Sequence, residues 1–131
     1  MAPEVLVFVV EDEDSIRQLL QEALAEGGYA VTTANDGNEA MAMLDAADAA
    51  FAALVTDVNL PGRFSGWEVA VHGREINALL PVIYITGGSA HEWAAKGVPN
   101  SILLTKPFAM AQVVTAVSQL LNAAPPLPQG K

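Results

Sequence analysis

Five short apolar runs punctuate the chain, and the stretches between them carry a helical period. The runs are "VLVFVV" (5–10), "YAVTT" (29–33), "FAALVT" (51–56), "PVIYIT" (81–86) and "SILLT" (101–105). Each has strand length and several are β-branched. Four of the five show little polar alternation, which suits parallel strands covered on both faces. Between them, Ile16, Leu19, Leu20, Ala23 and Leu24 step along one helical face that Gly27 and Gly28 bring to a stop. Ala40, Met43, Leu44 and Ala47 repeat that spacing after "NDGNE", and Trp67, Ala70 and Val71 start a third helix after Gly66. Residues 88–97 allow only a short or loose fourth. In the last helix Pro107 fits a first-turn position, and Met110, Val113, Val114, Val117 and Leu121 line one side. Strands alternating with helices predict an α/β fold, a three-layer, doubly wound five-stranded parallel sheet with right-handed crossovers.

A length of 131 residues with 52% hydrophobic content predicts one domain with one good core. With 15 acidic residues against 6 basic ones the net charge is -9, which repels nucleic acid and anionic membrane, so neither is expected as a partner. The absence of cysteine excludes disulfides and Cys-ligated zinc or iron–sulfur sites. "MAPEVLVFVVEDED" has no basic n-region and its apolar stretch is too short for a signal-peptide core or a span of ~20 residues. A cytoplasmic, untargeted protein is expected. The domain is placed at 1–122 and the proline-rich 123–131 is read as a disordered tail.

Ligands in open α/β sheets sit at the carboxyl ends of the strands. Glu11 and Asp12 follow the first run, Asp57 ends the third, Thr86 ends the fourth and Lys106 follows the fifth. All are predicted on one rim. Two carboxylates ~4 Å apart repel by about 4 kcal/mol at an effective dielectric near 20. Protonation relieves that repulsion, and so does a hard divalent cation held by oxygen ligands, of which Mg2+ needs only one or two carboxylates. A carboxylate flanked by such a cation, an ammonium and a hydroxyl is a place to accept a phosphoryl group, since that transfer needs positioning and charge neutralisation. Asp57 is the central candidate. Glu13 and Asp14 read instead as first-turn acids favouring the helix dipole, with Asp14 as N-cap.

Taken singly, Asp57 is an ordinary turn aspartate, Thr86 a strand-end hydroxyl and Lys106 a solvated lysine. In this order, each at a strand end, they resemble the receiver domain of two-component response regulators over about residues 4–122. The resemblance implies a flavodoxin-like sheet of order 2-1-3-4-5 and a bound Mg2+ on Asp12, Asp57 and the backbone carbonyl of Asn59, with Glu11 acting through water. It further implies that Asp57 takes a phosphoryl group from a histidine kinase or phosphotransfer protein. Thr86 then swings its hydroxyl to the phosphoryl oxygen, and Lys106 pairs with the new charge. Such a domain catalyses only its own phosphorylation and dephosphorylation and is not otherwise an enzyme.

Three departures from the family pattern stand out. Many receivers have Tyr or Phe where this chain has Leu103, while "YITGG" and "LLTKPF" resemble a subset of single-domain receivers with a Phe-Ala-Thr-Gly-Tyr-like motif. The loop "LPGRFSGWE" reads one residue longer than usual, which makes the kinase-facing surface around Arg63 and Phe64 distinctive. Only nine residues follow residue 122, so output is expected through contact with an unidentified downstream protein or by drawing phosphoryl groups from another receiver. A receiver excised from a hybrid histidine kinase and a phosphate-independent interaction module are the alternatives. Small residues at Gly87 and Gly88 predict easy water access and quick decay of the acyl phosphate. An aspartate-nucleophile phosphohydrolase needs a second acid where Asn59 stands, and a flavodoxin-like cofactor carrier needs a phosphate loop where "EDED" would repel phosphate. His72 and His91 are read as surface or structural residues, and Arg74 and Lys96 as solvated charge.

Overall fold

The structure, a computed structural model, describes residues 5–46 and 50–123. Its strands are β1 (Leu6–Val10), β2 (Ala30–Ala34), β3 (Ala53–Asp57), β4 (Val82–Thr86) and β5 (Ile102–Thr105). They form one parallel sheet in the order β2-β1-β3-β4-β5. Every residue of β3 and β4 is buried, as is every residue of β1 after Leu6. Their apolar runs therefore needed no alternation, because helices cover both faces.

The helices are α1 (Asp14–Glu26), α2 (Gly37–Asp45), α3 (Gly66–Ile76), α4 (Trp93–Lys96) and α5 (Met110–Asn122), with a 3-10 turn, Ala90–Glu92, leading into α4. One core, containing Phe8, Leu54, Trp67, Val69, Val82 and Tyr84, lies under α2 and α3. The other, containing Val9, Leu20, Leu24, Val55, Ile83 and Val113, lies under α1 and α5. Burying one such side chain is worth about 1.5–3 kcal/mol, so these clusters, more than intrinsic propensity, hold helices this short. Side-chain caps set two helix starts. Asp36 accepts from the Glu39 N–H before α2, and Ser65 and Glu68 exchange bonds in a capping box before α3.

Several expectations require correction. Pro107 lies three residues before α5, which begins at Met110. Residues 106–109 are loop, and Gln112 Oε1 accepts the Ala109 N–H at 2.7 Å to start the helix. The N-cap of α1 is Glu13, so Asp14 is the first helical residue. The helical spacing puts Leu19 and Val71 on core faces, yet they are 49% and 45% exposed, since each lies at the margin of its apolar stripe. Arg74 is not free in solvent: its Nε donates to Leu80 O at 2.6 Å, and burial lowers its pKa. Ala47 and the tail residues 124–131 lie outside the described residues.

Candidate functional site

The carboxyl ends of β1, β3, β4 and β5 share one rim, and the side chains there meet. Asp57 closes β3, the central strand, and is 4% exposed. The Val58 N–H continues the ladder onto Ile85 O at 2.9 Å, and the Gly66 N–H returns to Val58 O at 2.8 Å. A Cβ at Gly66 would sit 2.0 Å from Asp57 O, so only glycine lets the loop after β3 fold this closely over the strand end. That loop also rests on the start of α2, where Phe64 O would be 2.2 Å from a Cβ at Gly37 and the Arg63 N–H reaches Asn38 Oδ1 at 3.3 Å.

Each Asp57 oxygen has a donor. The Asn59 N–H donates to Oδ1 at 3.1 Å, and Lys106 Nζ donates to Oδ2 at 3.1 Å. Glu11 is fully buried beside them and Asp12 is exposed. One carboxylate oxygen from each of Glu11, Asp12 and Asp57 lies within 4.8 Å of the others. Glu11 Oε2 accepts the Glu13 N–H at 3.1 Å, whereas Glu11 Oε1 is buried with no hydrogen-bond partner among the described residues.

Electrostatics follow from that crowding. Burial pushes the Glu11 pKa up from 4.5 to about 7; the Asp57 charge adds to the rise, and the Glu13 amide and Lys106 oppose it. Burial pulls on Lys106 in the other direction, but the Asp57 hydrogen bond and the charges of Asp57, Glu11 and Glu13 more than offset it, so its pKa is raised and it stays an ammonium. Glu13 Oε1 is 3.9 Å from Lys106 Nζ.

Thr86, fully buried at the end of β4, accepts the Ser89 N–H on Oγ1 at 2.9 Å. Its carbonyl accepts the Lys106 N–H at 2.8 Å, which sets the lysine backbone beside Asp57. All six residues singled out in the sequence, Glu11, Asp12, Asp57, Asn59, Thr86 and Lys106, therefore lie on this rim. Three further participants were not singled out for the site in the sequence. Ser89 Oγ donates to Asn59 Oδ1 at 3.4 Å, Arg17 Nη1 donates to Glu11 O at 3.0 Å, and Glu13 faces Lys106. Of these only Arg17 carried a usable signal, one turn into α1 on the side of the acidic loop.

A sequence profile of the response regulator receiver domain matches residues 7–118. This chain belongs to that family. The crystal structure of a response regulator receiver protein from Sinorhizobium medicae matches the receiver with a TM-score of 0.88 at 42% identity, over 92% of this chain and 96% of that one. The transcriptional regulatory protein TcrA of Mycobacterium tuberculosis is 35% identical over 92% of this chain and 47% of its own length. For the response regulator MprA of Mycobacterium leprae the values are 32%, 92% and 52%. The receiver thus spans about half the length of these curated relatives.

Proposed function

We propose that this receiver accepts a phosphoryl group on Asp57 from a histidine kinase or phosphotransfer protein and passes the signal on by protein contact, or serves as a phosphate sink. The carrying observation is the 3.1 Å approach of Lys106 Nζ to Asp57 Oδ2 on a rim shared with the Glu11 and Asp12 carboxylates. An Asp57 oxygen attacks phosphorus and an O–P bond forms. The P–N bond to the donor imidazole breaks, and the imidazole leaves with the electron pair and gains a proton from solvent. Lys106 neutralises the phosphoryl charge, and the Thr86 hydroxyl turns from Ser89 to a phosphoryl oxygen.

The donor set fits a hard cation: all ligands are oxygens, and Glu11 Oε1 is a buried acceptor with no protein donor. Mg2+ held by Asp12, Asp57 and the Asn59 carbonyl, with Glu11 acting through water, would supply charge neutralisation at the transferred group. Gly87 and Gly88 are exposed, and a Cβ at Gly88 would meet nothing within 4 Å, which supports easy access for the hydrolytic water. Hydrolysis returns Asp57 to a carboxylate, so the receiver catalyses only reactions of its own side chain. Among the described residues no helix is long and apolar enough to cross a membrane, which is consistent with a cytoplasmic site of action.

The test for phosphotransfer is incubation with acetyl phosphate and Mg2+, followed by intact mass. Wild type gains one phosphoryl group and Asp57→Asn gains none. Labelling of both, or of neither, rejects Asp57 as the acceptor, and the latter leaves a phosphate-independent interaction module.

A further inference from the structure

The segment between β4 and β5 is held differently from the other helical connections. Neither the 3-10 turn nor α4 buries a side chain, so the packing that fixes the remaining helices is missing here. Two hydroxyls of β4 hold its ends instead, with a longer 3.4 Å bond from Ser89 Oγ to Asn59 Oδ1 beside the first. At the entering end the Ser89 N–H donates to Thr86 Oγ1 at 2.9 Å, and at the leaving end the Val98 N–H donates to the Tyr84 hydroxyl oxygen at 3.0 Å. Tyr84 and Thr86 are two residues apart on one strand, so their side chains share a face of the sheet.

The two anchors are not equivalent. Tyr84 is fully buried, its ring 4.7 Å from that of Trp67, and Val98 buries its own side chain in the same core. The leaving end is therefore fixed. Ser89, by contrast, is held by a hydroxyl that phosphorylation would draw toward Asp57. From Val98 the connections run outward: its carbonyl accepts from Ser101 Oγ at 2.7 Å, and that oxygen accepts from Trp93 Nε1 at 3.0 Å. Trp93 is 38% exposed and lies against Gly97, where a Cβ would come within 2.3 Å of its ring.

We propose that Tyr84 is a positioning residue that makes residues 89–98 pivot about Val98 when Thr86 releases Ser89, so that phosphorylation changes the surroundings of the surface residue Trp93. The proposal rests on the phosphoacceptor reading of Asp57. With the Tyr84 hydroxyl present, loss of one anchor yields a hinge. Without it the leaving end keeps only the burial of Val98, and the position of the segment depends less on Thr86.

The test uses protein carrying 5-fluorotryptophan, with the Trp67 and Trp93 resonances assigned through Trp93→Phe. Fluorine spectra are recorded before and after acetyl phosphate and Mg2+, with intact mass on the same samples. Wild type shows a Trp93 shift that tracks phosphorylation. Tyr84→Phe takes up phosphate at the wild-type rate, loses most of the Trp93 shift, and exchanges its Val98 amide hydrogen faster by roughly fivefold or more, as for loss of one hydrogen bond. A labelled wild type whose Trp93 resonance stays put overturns the proposal. So does a Tyr84→Phe protein that melts earlier but keeps the full shift, since the hydroxyl is then merely structural. Absence of any label in wild type fails the phosphoacceptor reading first and this coupling with it.

Discussion

Without metal, this receiver should lose stability as pH rises from about 5 toward neutrality, because Glu11 resists ionisation in the folded state. Its pKa is 4.5 when unperturbed and about 7 in the fold. Below the lower value both states hold the proton and the group is neutral toward folding. Between the two values only the folded state holds it, so stability falls with pH until the folded carboxyl itself ionises. The difference between the two values corresponds to about 3 kcal/mol, a large share of the 5–15 kcal/mol typical of a small domain. Glu11→Gln keeps the shape and removes the titration. Urea denaturation of both proteins in a chelating buffer, from about pH 5 to pH 8 where this titration falls, isolates the Glu11 contribution as the difference between their slopes. Wild type should fall more steeply than the variant, and added Mg2+ should recover wild type most at the alkaline end, where the carboxylates are charged. Parallel pH profiles for the two proteins would show that the buried carboxyl carries no such penalty, and the electrostatic account of the rim would be wrong.

Gly66→Ala should cost at least about 2 kcal/mol and slow phosphorylation, since its methyl group collides with backbone rather than a movable side chain; denaturation midpoints and acetyl phosphate labelling read both. His72 bonds Asp45 at 2.6 Å and Glu75 at 3.2 Å, and the Asp45 bond chiefly raises its pKa. Its contribution is thus present below its unfolded value and disappears as pH rises through the folded one; being partly exposed, it should amount to at most about 1 kcal/mol, measurable as a slope difference against His72→Ala. Phosphorylated wild type should decay quickly after donor removal, and a half-life of many hours by intact mass would contradict open water access beside Gly88.

The sheet was legible because β1, β3 and β4 are covered on both faces, leaving unbroken apolar runs in the sequence. Strand limits were less so: the third run was placed at 51–56, whereas β3 is Ala53–Asp57, because the ladder extends through the polar Asp57 that hydropathy excludes. The site residues stood out by their positions at strand ends. What pattern could not show was the second ring of contacts. The shorter of the two Ser89 bonds comes from its backbone amide, which any residue but proline supplies, and Tyr84 reads as one more core aromatic until its hydroxyl is seen to meet Val98. Pro107 misled for a related reason. A proline at a first-turn position is a common helix start, but here the chain needs residues 106–109 to carry Lys106 over the rim before α5 can begin.

Asp57 terminates β3, the strand at the centre of the sheet, which pairs with β4 on one side and with β1 on the other. As the proposed nucleophile, Asp57 is thereby mounted on the central strand, its orientation settled once, when the sheet forms, and not at each encounter. On the proposed function, a donor arriving from another protein has only to reach the edge. Which donors are admitted can then be written in the peripheral loops, free to diverge without disturbing the reactive oxygen.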